Sequence, residues 1–420
     1  MFDLILNCTD LSKVKYSGVK RIFSTPSYLK IEKKKGFLDV NPILFILIYN
    51  SHLKYFLSIA ESLEKKKLNY SVISLKRNFE DDLKPYSKRI ISLNSFYKKH
   101  HIYISVILQF FTFIKYRFSG AYYKAFATLK FYKEFYLIQI ALKNIISQNQ
   151  INSICIYKGD GFYAQTIGLY INKRQPSIKI IVMQHGLIAS IPQFKKLPID
   201  EFWVWSSFFK NRLNQLGVNY NIKVMGDPTT DSLIKHTKHQ TYQTKNELKL
   251  LFLPNHGNSH TPKSQVINTL KWIVKYTQEN VESSLTIKPH PGDANNIILN
   301  NVNKIGQKSN IILLPKNKKV LIEDYDIIVI HNSAIGMEAA FNKKPIIILA
   351  ENEEQLMVKQ YIDYGIAEVA YNYNELVNKI NYVKTNYALF QEKAKLFIDE
   401  MYEYKGESKN KILKELSKYN

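Results

Sequence analysis

The chain has 420 residues, a length that favours two domains of ordinary size, and its 45% apolar content is enough for two buried cores. Its two cysteines, Cys8 and Cys155, lie far apart beside apolar residues, which excludes a disulfide framework and a cysteine-based zinc site. The longest uncharged apolar run, residues 102–114, is too short to span a bilayer, and the start lacks a signal-peptide pattern. We therefore expect a cytoplasmic protein.

The net charge of +24, with a pI near 9.5, favours anionic partners. Residues 85–150 hold ten Lys and Arg and sixteen Phe and Tyr, against one acid, Glu134. This basic-aromatic pattern is typical of helices at a lipid headgroup boundary, of grooves for stacked bases, and of amphipathic helices with an aromatic core. Because no zinc finger, RRM signature or basic repeat occurs, we expect no nucleic acid. Peripheral contact with an anionic membrane stays open beside the amphipathic interpretation.

The elements of the first half alternate between short apolar runs and amphipathic helices, which indicates a parallel sheet. A helical basic-aromatic insert interrupts the series. In chain order we predict a strand at 43–49, a helix at 52–66, a strand at 70–75, the helical insert at 85–150, a strand segment at 151–160, a helix at 163–172, strands at 179–186 and 201–206, a helix at 207–217 and a strand at 222–228.

A polar stretch without periodicity, residues 237–247, predicts a linker to a second alternating series. That series comprises strands at 248–257, 284–290, 310–315, 326–333 and 344–351, helices at 262–280 and 334–342, and a helical tail. The fold class is therefore α/β, with two Rossmann-like domains facing a central cleft. We predict an acceptor domain at 1–240, a nucleotide-sugar domain at 241–395 and a C-terminal helix at 396–420 that crosses back to the first domain.

Ligands of open α/β sheets bind beyond the carboxyl ends of the strands. The segment Lys288-Pro289-His290-Pro291 stands at such a strand end. Two prolines restrict the backbone around the imidazole, so its position is set before a ligand arrives. His290 is suited to binding a phosphate or protonating a leaving phosphate oxygen. A structural histidine in a tight proline turn is the alternative.

A second strand runs into Asn332, Ser333 and Ala334, where a helix opens. Backbone N–H groups, a hydroxyl and the helix dipole there make a seat for phosphate. Glu338, one turn inside the helix, is near enough to accept hydrogen bonds from a ribose. An ordinary N-cap with a first-turn acid has the same features.

Asp160 lies between Gly159 and Gly161, directly after an apolar strand. The glycines permit a sharp turn and close approach of a substrate, so the carboxylate is a candidate general base. A plain turn also explains this short pattern.

Gln184, His185 and Gly186 end another strand. His185 is a second candidate base, a phosphate contact or a buried hydrogen-bonded histidine. In a further loop, Asn255 and His256 are candidate nucleotide contacts. Neither an HExxH motif nor a carboxylate-histidine set occurs, so we expect no metal and no cofactor besides the donor substrate.

The Gly-Asp-Gly turn, the KPHP segment and the NSAIGMEA helix start together resemble GT-B glycosyltransferases. Bacterial sialyltransferases and capsule or surface-polysaccharide (Kdo-type) transferases are the most similar groups. The resemblance implies that Asp160 is the general base, that His290 and Pro291 contact the CMP phosphate, and that Ser333 holds the same phosphate. This sequence has Gly159 where that family has an acid, and one serine where it has a pair.

The resemblance implies a glycosyltransferase that moves an acidic sugar, of sialic acid or Kdo type, from a CMP-sugar to a surface-polysaccharide or lipooligosaccharide acceptor. Such an anionic glycan or glycolipid would be met at the inner face of the plasma membrane. A CDP-glycerol or CDP-ribitol polyol-phosphate transferase, with His185 and His290 on the donor diphosphate, is the nearest alternative. A sugar-nucleotide epimerase and a non-catalytic membrane-docked assembly subunit are the others.

Overall fold

The computed structural model describes most of the chain from Val40 to Asn420. Of the predicted linker, residues 237–247, the structure describes only residue 247. The residues outside the description are 1–39, 49, 75–82, 93–95, 97, 120–121, 158–161, 187, 189–193, 232–246, 256, 258–260, 291, 294–295, 306–308, 319 and 357.

The contacts divide the chain into two compact units, Met1–Ser232 with Tyr402–Asn420, and Leu233–Met401. A seven-stranded parallel sheet forms the core of the first unit, with the order β3-β2-β1-β4-β5-β6-β7. Its central strands are continuous apolar runs that are buried on both faces, as expected when helices cover a parallel sheet. The strands are β1 Ile43–Leu47, β2 Tyr70–Ser74, β3 Ile90–Ser92, β4 Ser153–Ile156, β5 Lys179–Met183, β6 Glu201–Val204 and β7 Asn221–Val224.

Two long helices in the connection from β3 to β4 confirm the helical insert. They pack against each other, and the second also packs against the helix that follows β4. The helices up to β7 are α1 Asn50–Lys65, α2 Lys99–Phe118, α3 Tyr122–Gln148, α4 Phe162–Arg174 and α5 Ser207–Gln215.

The second unit contains a six-stranded parallel sheet with the order β10-β9-β8-β11-β12-β13. Numbered within the unit, this is the doubly wound order 3-2-1-4-5-6. Its strands are β8 Leu248–Leu253, β9 Ser283–Ile287, β10 Ile311–Leu313, β11 Ile327–Ile330, β12 Ile346–Leu349 and β13 Ala367–Ala370, and its helices are α6 Lys263–Glu279, α7 Ile297–Ile305, α8 Ile335–Phe341, α9 Lys359–Asp363, α10 Tyr373–Thr385 and α11 Tyr387–Met401.

The α/β class with two Rossmann-like parallel sheets is confirmed, but two strands differ from the prediction. β3 lies inside the predicted helical insert, and β13 lies inside the predicted helical tail. Each is an edge strand that pairs with one neighbour only. A short edge strand needs no long apolar run, so its sequence carries a weak signal. Among the described helices, none combines the length and apolar content needed to cross a bilayer.

The last helix, α12 Ser408–Leu416, returns to the first unit and is held by the segment that follows β7. The carboxylate of Asp231 accepts hydrogen bonds from the backbone N–H groups of Gly406, Ser408 and Lys409, at 3.1, 3.3 and 2.9 Å. These N–H groups at the helix start have no partner within the helix, so the carboxylate caps α12. The segment MGDPTTD, residues 225–231, therefore anchors the C-terminal helix.

Gly226 in the same segment makes this approach possible. Its φ is +80°, and a Cβ there would stand 2.2 Å from the Ser408 hydroxyl and 2.8 Å from the Glu403 carbonyl oxygen. The far end of α12 is held by Lys223, whose ammonium group lies 2.7 Å from Glu201 and 2.6 Å from Glu415.

We predict that Gly226→Ala lowers the free energy of unfolding by about 2 kcal/mol more than Gly217→Ala. Only at Gly226 would the added methyl group clash with Ser408 and with the Glu403 carbonyl oxygen. Gly217 is the matched control, since its φ is +65° and nothing lies within 4 Å of its Cβ position. Urea unfolding of both variants measures the difference. Equal losses would contradict the close packing of α12 on this segment.

Candidate functional site

Each sheet has one point at which the strand order reverses, between β1 and β4 and between β8 and β11. The loops beyond the carboxyl ends of these strands diverge and leave a crevice in which α/β proteins bind ligands. Most of the residues singled out from the sequence follow these strands or the strands beside them. The two units are described in turn.

In the second unit, the loops after β8 and β11 are joined by hydrogen bonds of Asn255. Its backbone N–H donates to Nδ1 of His331 at 3.0 Å. Its side-chain amide donates to Thr261 Oγ1 at 3.0 Å and to the Asn332 carbonyl oxygen at 3.3 Å. Asn255 is buried, so the structure shows it as a brace between the two loops.

His331, directly after β11, is the partner that makes this brace rigid. Because Nδ1 accepts a hydrogen bond, the neutral ring carries its proton on Nε2, which lies 2.8 Å from Thr269 Oγ1 on α6. Complete burial lowers the pKa of His331 to about 3. The imidazole is therefore neutral and has a fixed tautomer at physiological pH.

His290 follows β9 and is exposed, unlike His331. Its Nδ1 accepts the backbone N–H of Gly292 at 2.9 Å, and its carbonyl oxygen accepts the N–H of Asp293 at 2.9 Å. A ring held in this way presents Nε2–H as a hydrogen-bond donor. Asp293 in turn caps α7 through the N–H groups of Ile297 and Ile298.

Lys288 and Glu338 flank the same edge of the second sheet. Burial lowers the pKa of Lys288, and the charge of Glu338 opposes this shift, so the two side chains are within electrostatic reach. Ser333 Oγ accepts the backbone N–H of Ile335 at 3.3 Å, which leaves its hydroxyl hydrogen for another acceptor. Since β9, β8 and β11 are neighbours, the structure brings Lys288, Asn255, Asn332, Ser333 and Glu338 to one edge of the sheet, with Ala334 exposed beside them.

In the first unit, Gln184 shapes the turn after β5. Its side-chain amide donates to the Gly186 carbonyl oxygen at 2.9 Å, and its Oε1 accepts the N–H of Trp205 at 3.0 Å. The Gly186 φ of +131° favours glycine at this position. Gln184 is buried, and its side-chain amide is engaged in these hydrogen bonds within the protein. It therefore positions His185, which lies between Gln184 and Gly186.

His185 is partly exposed and stands against a cluster of aromatic side chains. Its ring centroid lies 4.9 Å from that of His52 and 6.2 Å from that of Tyr55. His52 is buried, and its Nδ1 accepts the N–H of Ile48 at 3.3 Å. Tyr55 also stacks on Trp205, with 6.3 Å between centroids. His185 therefore follows β5, the neighbour of β4 at the reversal point of this sheet.

Asp227 adds a buried carboxyl group near this cluster. Its Oδ1 accepts the N–H and the hydroxyl of Thr229, at 2.9 and 2.8 Å. Burial raises the pKa of Asp227 to about 6, and both burial and the charge of Asp227 raise the pKa of Tyr55. Tyr55 is therefore a neutral hydroxyl at physiological pH.

Five sequence candidates lie outside the described residues: Gly159, Asp160, Gly161, His256 and Pro291. Within the described part of the chain, no group of three or more His, Cys, Asp and Glu side chains is arranged to hold a metal ion.

Two residues of this cluster, His52 and Tyr55, are not among the candidates that the sequence predicts. Both lie in the first two turns of α1, the helix that follows β1 at the reversal point. Their position after the first predicted strand was a usable signal. Their contacts with His185, more than a hundred residues away, depend on the pairing of β1 with β4 and of β4 with β5.

We predict that His331 makes the protein less stable in acid. Its pKa is lowered in the folded state, so the unfolded chain binds a proton that the folded chain excludes, and stability falls as the pH drops from 6.5 towards 3. Between pH 7 and pH 5 this loss amounts to about 2 kcal/mol. Urea unfolding at pH 7 and at pH 5 measures this loss of stability. In His331→Gln the loss should be smaller than in the parent by about 2 kcal/mol. In His100→Gln, which changes an exposed histidine, the loss should equal that of the parent. An unchanged pH dependence in His331→Gln would contradict the assignment.

The fold and sites invite comparison with solved structures. A UDP-GlcNAc 2-epimerase from Neisseria meningitidis bound to UDP-GlcNAc has a TM-score of 0.59 at 13% identity, covering 91% of this chain and 100% of that one. S. aureus MnaA with UDP has a TM-score of 0.57 at 14% identity, covering 90% and 97%. The wall teichoic acid polymerase TagF has a TM-score of 0.50 at 13% identity, covering 90% and 89%. At these identities the likeness shows a GT-B-type fold alone.

No curated protein matches the chain in sequence. A family model described as CDP-Glycerol:Poly(glycerophosphate) glycerophosphotransferase matches residues 205–418, just over half of the chain. The match contains the whole second unit, including Lys288, His290 and Ser333, and the anchored helix α12. The protein is therefore an enzyme that belongs to the CDP-glycerol:poly(glycerophosphate) glycerophosphotransferase family.

Proposed function

We propose that the protein is a polyol-phosphate transferase that moves glycerol phosphate or ribitol phosphate from a CDP-polyol to a hydroxyl of an anionic surface polymer. The observation that carries this proposal is the family match over residues 205–418, which spans every described donor-site candidate of the second unit. It favours the polyol-phosphate alternative over transfer from a CMP-sugar, for which no comparison gives support.

The second unit is assigned to the donor. Glu338 accepts hydrogen bonds from the ribose, and Lys288 and Ser333 contact the diphosphate. Lys288 suits this role because the residue is half-buried and is a member of none of the described ion pairs, although the charge of Glu338 acts on it. A desolvated cation is a strong partner for a phosphate oxygen.

The reaction needs one group that takes a proton and one that neutralises the leaving phosphate. The acceptor oxygen attacks the phosphorus that carries the polyol, and a new P–O bond forms as the bridging bond to CMP breaks. His185 receives the proton of the acceptor hydroxyl. His290 donates a hydrogen bond, or its proton, from Nε2 to the departing CMP oxygen.

The acceptor is assigned to the first unit, where the aromatic cluster around His185 offers a partly exposed surface. An acceptor built of repeated phosphates carries negative charge, and the net charge of +24 attracts it. The name of the family contains poly(glycerophosphate), which agrees with such an acceptor.

We predict that CDP-glycerol or CDP-ribitol releases CMP in the presence of a polyol-phosphate acceptor, whereas CMP-sialic acid and CMP-Kdo do not. Chromatographic detection of CMP over this panel measures donor choice, and incorporation of labelled polyol into polymer separates transfer from hydrolysis. Release from the CMP-sugars alone would overturn the proposal in favour of acidic-sugar transfer.

We predict that His185→Ala and His290→Gln each lower kcat about 10²-fold or more, because each removes a proton-transfer or charge-stabilising group. Asp160→Asn should retain more activity than His185→Ala, since Asp160 is only a turn residue in this mechanism. His100→Ala, an exposed histidine, is the matched control and should leave kcat unchanged with a water-soluble acceptor.

Binding of CDP-glycerol by calorimetry separates loss of chemistry from loss of donor. His185→Ala should bind the donor like the parent. If Asp160→Asn abolishes transfer while His185→Ala is nearly normal, the general base is Asp160 and the mechanism above is overturned.

A further inference from the structure

His52 is a buried histidine in the first turn of α1, with an exposed fraction of 0%. Its Nδ1 accepts the backbone N–H of Ile48, the residue directly after β1, at 3.3 Å. A ring nitrogen that accepts a hydrogen bond carries no proton, so this imidazole is neutral and its proton is on Nε2. The hydrogen bond therefore restricts both the position and the tautomer of the ring.

The register of three neighbouring strands brings His52 to His185. Ile46 of β1 pairs with Ile156 of β4, and Ile156 pairs with Val182 of β5. The chain thus leaves these parallel strands at about the same level, and the residues that follow them meet beyond the carboxyl ends. His52 arrives there through the start of α1, and His185 through the turn after β5.

The two imidazoles are in T-shaped contact. Their ring centroids lie 4.9 Å apart, and the planes make an angle of 71°. Aromatic rings prefer such an edge-to-face arrangement over a face-to-face sandwich. His52 is fully buried, whereas His185 is half-buried. The imidazole that meets solvent therefore rests on one that the backbone holds in place.

Two tyrosines complete the surroundings of this pair. Tyr157, directly after β4, is 1% exposed, and its ring centroid lies 5.8 Å from that of His52. Tyr55, one turn further along α1, lies 6.0 Å from Tyr157 and 6.2 Å from His185. The rings thus contact one another in a closed cycle, from His52 to Tyr157, Tyr55, His185 and back. Removal of the His52 ring breaks this cycle at the contact with His185.

We propose that His52 is a positioning residue for His185, an inference that rests on the proposed role of His185 as the base. The hydrogen bonds of Gln184 fix the backbone on both sides of His185, and the ring of His52 fixes the angle of the imidazole itself. Because His52 is fully buried, it acts through His185 and does not touch the acceptor. Orientation of this kind matters, since a misplacement of about 1 Å can cost about 10²-fold in rate.

A purely structural role for His52 would depend on its hydrogen bond to Ile48 instead of on its ring. Two substitutions separate these roles. In His52→Asn the amide oxygen can still accept the N–H of Ile48, but the ring that supports His185 is lost. In His52→Phe a ring remains against His185, but the acceptor for Ile48 is lost. Positioning through the ring predicts that only His52→Asn impairs His185.

Modification by diethyl pyrocarbonate at pH 7, mapped by mass spectrometry of peptides, measures the hold on His185 in the full chain without any substrate. The peptide that contains His185 should react several-fold faster in His52→Asn than in the parent, and at the rate of the parent in His52→Phe. The peptide with exposed His100 is the internal reference and should react equally in all three proteins. Equal rates for His185 in the parent and in His52→Asn would overturn the proposal.

Steady-state transfer from CDP-glycerol to a water-soluble polyol-phosphate acceptor measures the effect on the reaction. We expect kcat to fall about tenfold or more in His52→Asn and to be largely restored in His52→Phe. The KM for CDP-glycerol should not change, because the donor is assigned to the second unit. A kcat that falls equally in both variants would assign His52 a structural role and overturn the proposal.

Val72→Ala is the control for lost stability. It truncates a fully buried side chain on β2, which lies three strands away from β5 in the same sheet. Its urea midpoint should fall, while kcat and the modification rate of His185 stay at the values of the parent. If Val72→Ala reproduced the changes of His52→Asn, lost stability would explain them and the proposal would be wrong.

Failure of the proposed reaction gives a different result. Normal transfer by His185→Ala would overturn the role of His185 as the base. The modification rates would still decide whether His52 holds His185, because they require neither donor nor acceptor.

Discussion

Parallel pairing around a central strand, β1 in one sheet and β8 in the other, is the constraint on which the rest of the structure depends. The strand order reverses beside the central strand. At the carboxyl ends of the strands there, the loops leave in opposite directions, and the crevice between them is lined by polar groups from both loops. In the second unit, loops from β9, β8 and β11 collect an ammonium group, an amide, a hydroxyl and a carboxylate. Residues separated by some eighty positions in sequence meet because their strands are neighbours.

Two histidines of the second unit differ in burial and in their hydrogen bonds. His331 is enclosed, neutral and engaged at both ring nitrogens, so it holds the loops after β8 and β11 together. His290 is exposed, and its Nδ1 accepts a hydrogen bond from the backbone of its own turn. The same type of side chain is a brace in one place and, in the reaction that we propose, a proton donor in the other. Solvent exposure and the second hydrogen-bond partner decide which.

The first unit combines a stable scaffold with a helix face that no described part of the chain covers. The C-terminal helix α12 is held on this unit by two contacts. Asp231 caps its first turn, and Lys223 forms a salt bridge with Glu415 near its end. The α2–α3 hairpin contributes a different surface, apolar outward and cationic at its margins.

The sequence by itself determined the α/β class, the two alternating series and the helical insert, because period-2 and period-3.6 patterns are local properties of the chain. It also located the polar groups at strand ends, including His185 and His290. Only the tertiary structure decided which of these groups are buried and what each of them contacts. Strand order set which loops meet, so Asn255 and Gln184 became buried braces and His52 and Tyr55 joined His185. The short edge strands β3 and β13 needed a neighbouring strand to define them. The inward and outward faces of α2 could not be assigned from the sequence, because burial depends on which face α3 covers.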